Sequence, residues 1–254
     1  MTFSGGQLSL GILFASALVG CGGGGSSSND PGPTAEGVYG GTLTGSSSSA
    51  FQMLVLENGD FWTMYGVQTT TAFGVAGFVQ GSGTSSGGTF TSSSAKDFGF
   101  TPALAGTASA SFDATAKTIA GTVSSSGHSV GFNGGPIAGS LYNYAAPALL
   151  STISGAWSLT TLANEGVALT VTSTGAFTAR TSLGCTFSGS FVPRPSGKNV
   201  FNVSLTFGPS PCALAGQPAS GIAINYPLAS GRSQLVIAGV DAARNIGTAA
   251  FGTR

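Results

Sequence analysis

The chain has 254 residues, 42 of them glycine, with 41% hydrophobic and only 6% charged residues, and its eight Lys+Arg balance eight Asp+Glu. So few cations exclude nucleic-acid binding by counterion release, and a Gly/Ser/Thr-rich composition disfavours a helical bundle. An ordinary apolar fraction with no net charge excludes a charge-driven disordered chain.

The first element is an apolar run, Leu8 to Val19. It is too short to span a bilayer as a helix but has the length of a signal-peptide core. It ends in Leu18-Val19-Gly20-Cys21, which resembles the lipobox of bacterial lipoproteins. The resemblance implies that residues 1–20 are a signal peptide removed by lipoprotein signal peptidase. Cys21 would then carry a diacylglycerol thioether and an N-acyl chain such as palmitate, with no other cofactor. Two or more acyl chains hold a protein on a membrane far better than one. Met1 to Gln7 departs from the pattern in having no Lys or Arg. Residues 21–35, from Gly22-Gly23-Gly24-Gly25 through Pro31-Gly32-Pro33, read as a flexible tether reaching roughly 20 Å. Gly22, rather than an aspartate, after the cysteine implies the outer membrane. The expected partners are the membrane itself, through the lipid, and envelope or surface proteins.

Residues 36–145 read as a first β-domain. Gly37-Val38-Tyr39 opens a strand, and Glu57-Asn58-Gly59-Asp60-Phe61 forms a glycine hairpin turn into an aromatic strand. In that strand Phe61, Trp62, Met64 and Tyr65 make both faces apolar. It is therefore a fully buried strand, a strand whose outer face meets the other domain, or a ligand platform. Asp113 to Lys117 turns into another strand at Thr118. The link, Ala145-Ala146-Pro147-Ala148-Leu149-Leu150, is too apolar for a loose spacer.

Residues 146–254 read as a second β-domain. Strands are expected near 153–160, 166–172, 176–182, 185–192, 200–207, 219–227, 233–240 and 246–253, separated by Gly, Pro and Asp turn signals. Phe201, Val203, Leu205 and Phe207 alternate with Asn202, Ser204 and Thr206, and Val167, Leu169 and Val171 repeat that period. The first set should point inward and the polar set outward. Short antiparallel strands at this spacing make a sandwich or an up-and-down barrel. Gly155-Ala156-Trp157 near the start and Arg254 at the end resemble the Gly-x-Trp and closing arginine of lipocalin-like and avidin-like barrels. That resemblance implies an all-β chain of two tandem small antiparallel up-and-down β-barrels, with Arg254 stacked on Trp157 to close one end. In the first half Tyr39 replaces the tryptophan and no arginine falls within 36–145.

With Cys21 assigned to lipid, Cys185 and Cys212 are the remaining cysteines and form a disulfide in an oxidising compartment. Catalytic patterns are sparse. His128 is the single histidine and no Gly-x-Ser-x-Gly elbow accompanies it. The acids are scattered, a zinc site lacks ligands, and Gly81 to Gly88 lacks the Lys-Ser/Thr of a phosphate loop. The expectation is no metal, no catalysis, and a structural or protein-interaction module of the envelope. The alternative is a carrier of a small apolar ligand. Eight short strands leave an interior largely filled by side chains, so a cavity would favour the carrier. Cys21→Ala, or globomycin treatment, should accumulate an unprocessed precursor on an immunoblot; normal processing in both cases would contradict the lipid assignment.

Overall fold

Apolar side chains recurring at every second residue drive most of the described residues into strands. The computed structural model describes residues 32–69 and 72–254. Cys21, the expected signal peptide and the expected tether up to residue 31 lie outside the described residues. The strands of the first half are β1 (Gly37–Thr44), β2 (Ala50–Val55), β3 (Asp60–Gln68), β4 (Phe73–Ser82), β5 (Thr84–Ser86), β6 (Thr89–Asp97), β7 (Leu104–Asp113), β8 (Thr118–Ser125) and β9 (His128–Gly135). A 3-10 turn, Leu150–Thr152, precedes β10 (Gly155–Thr161), β11 (Gly166–Val171), β12 (Ala176–Thr181), β13 (Thr186–Pro193), β14 (Phe201–Phe207), β15 (Pro218–Pro227), β16 (Ser233–Val240) and β17 (Gly247–Thr253).

The fold is two closed eight-stranded antiparallel barrels in tandem. In the first barrel β1 pairs β9, and the ring closes where β4 pairs β6. The short β5 continues β4 past Gly83, because both pair with β6 in nearly one register: Val79↔Asp97 and Gln80↔Lys96, then Thr84↔Thr91. The second barrel runs β10 to β17 in order and closes through Thr160↔Phe251 and Thr161↔Ala250.

One hairpin design recurs in both. Leu56 donates to Asp60 while Gly59 donates to Leu56, and Thr172 donates to Ala176 while Gly175 donates to Thr172. Such a loop needs a left-handed residue near its end, and Gly59 and Gly175 supply it with φ of 84° and 88°.

Each barrel has its own core. Tyr39, Phe51, Met53, Phe61, Phe90, Phe112, Ile119 and Phe132 fill the first. Trp157, Val167, Leu169, Val171, Phe191, Phe201, Val203 and Leu205 are in the second. Asn202, Ser204 and Thr206 are not in that core and lie at least partly exposed, so the alternating register reads inward and outward as the pattern requires.

A third core lies between the barrels. Leu54 on β2, Trp62 and Met64 on β3, and Val75 and Phe78 on β4 pack with Ile222, Ile224 and Tyr226 on β15 and Val236, Ala238 and Val240 on β16. The aromatic strand β3 thus turns Phe61 and Tyr65 into its own barrel and Trp62 and Met64 to the neighbour. Of the three readings of that strand, the outer face meeting another domain is the one realised.

Polar groups fasten the edges of this seam. The turn after β16 places Arg244 at φ 54°, and the Asp241 carboxylate holds that turn by accepting from the Asn245 and Ile246 amides at 2.8 and 2.7 Å. From there Arg244 donates to Gln80 Oε1 (2.7 Å), Gln80 O (2.8 Å) and Ser94 O (2.8 Å). Those acceptors flank the short β4–β6 joint, so the second barrel supplies an arginine that clasps the closing joint of the first. Both ion pairs among the described residues also join the halves: Arg194 with Glu57 at 2.8 Å and Lys198 with Glu36 at 2.8 Å. Burial alone would raise the Glu57 pKa, but its own backbone amide and the Arg194 guanidinium hold it below the usual range. The link is tied down as well, with Leu141 donating to Pro227 O and Asn199 to Tyr144 O.

Phe78 is fully buried between stacked Trp62 and Phe98. Phe78→Ala should lower the unfolding free energy of the whole molecule by about 3–5 kcal/mol in one urea transition. A loss below about 1 kcal/mol would show that the seam is not a packed core.

Candidate functional site

The two ends of the second barrel differ. At one end Trp157 is buried, and its indole Nε1 donates to Ile153 O at 2.7 Å. The Arg254 guanidinium lies 4.0 Å from the Trp157 ring centroid and donates to Ser154 O (2.8 Å) and Thr152 O (3.0 Å). Cation–π stacking and these hydrogen bonds cap the end. Gly155 makes room for the cap: its φ is 104°, and a Cβ there would sit 3.2 Å from the Arg254 Nη1. Phe177, Phe191 and Phe201 pack behind the plug.

The first barrel repeats the plug without the arginine. Tyr39 donates its hydroxyl to Ala35 O at 2.8 Å, four residues back, as Trp157 does to Ile153. Burial, with Glu36 nearby, pushes the Tyr39 pKa up to about 12, so the hydroxyl remains a donor.

The opposite end of the second barrel is open. A pocket of about 570 Å³ enters there, lined by Leu159, Val167, Leu169, Phe177, Phe187, Leu205, Phe207 and Ile237. It exists because other inward positions at that end are small: Thr181 on β12, Gly239 on β16, and Thr248 and Ala250 on β17. The expectation of an interior filled by side chains holds around Trp157 and fails at the mouth. Trp157, Phe191 and Phe201 fill one end, while small residues on β12, β16 and β17 leave space at the other beside Phe187 and Phe207.

Loops extend the pocket. Leu162 and Glu165 come from the β10–β11 hairpin, Leu183 from β12–β13, and Pro211, Ala213 and Leu214 from β14–β15. Leu183 is 70% exposed at this rim. The loop from β14 to β15 is the longest piece of rim, and the Cys185–Cys212 disulfide, with Cα atoms 4.5 Å apart, pins it to the β12–β13 hairpin. The bond thus closes one wall of the pocket. Even Thr101, from the loop between β6 and β7 of the first barrel, reaches the lining.

Other polar clusters do not assemble a reaction site. The Tyr65 hydroxyl donates to Asp97 Oδ1 at 2.7 Å inside the first barrel, and burial and then Asp97 raise its pKa strongly. A cleft of about 640 Å³ between the first barrel and the link holds Glu36, Tyr144 and Lys198. There the charges are spent on each other, with Lys198 paired to Glu36 and also 5.3 Å from the Tyr144 ring centroid. His128 is exposed at the start of β9. Among the described residues no group of three His, Cys, Asp or Glu side chains is placed to hold a metal ion.

Comparisons with family models, with curated proteins and with solved structures find no match to this chain.

Replacing both Cys185 and Cys212 by serine should lower stability by about 3–4 kcal/mol, the loop-closure value for their 27-residue separation, measured by urea denaturation. Unchanged stability would mean that the β14–β15 loop is held by other contacts.

Proposed function

We propose that this chain is a lipid-anchored protein of the bacterial outer membrane whose second barrel binds a small apolar molecule and performs no catalysis. The observation that carries the reading is the 570 Å³ pocket walled by Leu, Val, Ile and Phe side chains. Its size falls within the about 300–1,000 Å³ typical of small-ligand sites, and its apolar lining is typical of them as well. The lipobox-like segment ending at Cys21 supports the membrane placement. Gly-x-Trp with Arg254 over Trp157 supports kinship with lipocalin-like barrels, which carry ligands at an open mouth. On this reading the first barrel, filled by its own side chains, is a platform. It buries the outer face of β15 and β16 and steadies the pocket's outer wall.

A structural or protein-interaction role is the second reading. The neutral outer surface, with Ser190 and Ser204 hydroxyls exposed and bonded across β13 and β14 at 3.1 Å, favours hydrogen-bonded contacts without electrostatic steering.

The test is binding of the neutral dye N-phenyl-1-naphthylamine to the full chain in phosphatidylcholine nanodiscs, with empty nanodiscs as reference. The dye should brighten above that reference, and straight-chain alcohols should displace it with affinity rising about fourfold per methylene, the value of about 0.8 kcal/mol per CH₂. Gly239→Phe, which fills the mouth, should abolish the signal while circular dichroism is unchanged. No brightening over empty nanodiscs would overturn the carrier reading and favour the interaction module.

A further inference from the structure

The pocket's walls say what kind of molecule it holds, and this inference rests on the carrier reading. Among the residues that line it, Glu165 is the one that carries a charge; no Lys, Arg or His is present. Glu165 is half-buried in the β10–β11 hairpin. Its backbone is fixed there, with Thr161 N donating to Glu165 O at 2.9 Å and Glu165 N donating to Thr161 Oγ1 at 3.1 Å. The carboxylate makes no ion pair among the described residues, in contrast to Glu36 and Glu57. The other polar groups at the mouth are the uncharged hydroxyls of Thr101, Thr161, Thr181 and Thr248.

We infer that the site takes single-chain amphiphiles with an uncharged or cationic head and rejects the carboxylate of the same length. A chain lying along Leu159, Leu169 and Leu205 brings its head to the rim, because the Trp157 end is plugged. There an alcohol finds threonine hydroxyls and an amine finds Glu165. A carboxylate meets a like charge, and no cation among the lining residues offsets either.

The experiment displaces N-phenyl-1-naphthylamine from the full chain in phosphatidylcholine nanodiscs with decanol, decylamine or decanoate. Empty nanodiscs and the Gly239→Phe protein serve as references for partition into lipid. Decanol and decylamine should compete at similar concentrations and decanoate at a concentration at least tenfold higher. Glu165→Gln should bring decanoate to within about threefold of decanol and leave decanol unchanged. Glu165→Lys should make decanoate the best of the three. If decanoate competes as well as decanol in the unaltered protein, charge selection is overturned while the carrier reading stands. If the dye itself does not bind, the carrier reading falls and this inference with it.

Discussion

The structure depends on the burial of one apolar seam between the two barrels. A small barrel ordinarily alternates apolar interior with polar exterior, yet β2, β3, β4, β15 and β16 are apolar on both faces. Left exposed, the outer faces of these strands would be a contiguous hydrophobic patch of the kind that drives association. Packing one barrel on the other removes both patches at once. The few charges follow the same logic: Arg194, Lys198, Lys96 and Arg244 each reach across from one half to the other. Half of the eight cations thus fix how the halves meet.

That dependence makes the barrels unequal. The first has a short joint where β4 meets β6, and an arginine of the second barrel spans it. The second closes on its own through Trp157 and Arg254. Freed from the need to pack its mouth, it can leave small side chains there. Its β15 and β16 walls remain held from outside by Trp62, Met64 and Phe78. A pocket in so small a barrel costs packing contacts, and the rigid outer support offsets the freedom that such a void would otherwise give.

Much of this was legible in the residues. The two-residue period at Phe201–Phe207 and the glycine turns located the strands of the second half to within two residues of their observed ends. Gly155, Trp157 and Arg254 come together at the barrel's end as the resemblance implied, and Cys185 and Cys212 are bonded. The double-faced apolarity of Phe61-Trp62-Thr63-Met64-Tyr65 allowed an outer face against the other domain without saying against which strands. The partner strands β15 and β16 lie some 160 residues away, and such pairing leaves no local signal. The pocket was missed for a different reason. An alternating pattern tells which residues point inward, but whether they meet across the barrel depends on summed side-chain size at one level. The signal was present in Thr181, Gly239, Thr248 and Ala250, all small and all at the same end.

The central claim is that the seam makes the two barrels one cooperative structure, and native-state hydrogen exchange tests it most directly. Strands β7 and β8 contribute no side chain to the seam core, and neither do β11 and β12. If the barrels depend on one another, the slowest amides of both strand pairs should exchange with the same free energy, equal to that of global unfolding. Exchange of β7 and β8 at a distinctly lower free energy, with β11 and β12 still protected, would show that the first barrel opens alone and would contradict the account.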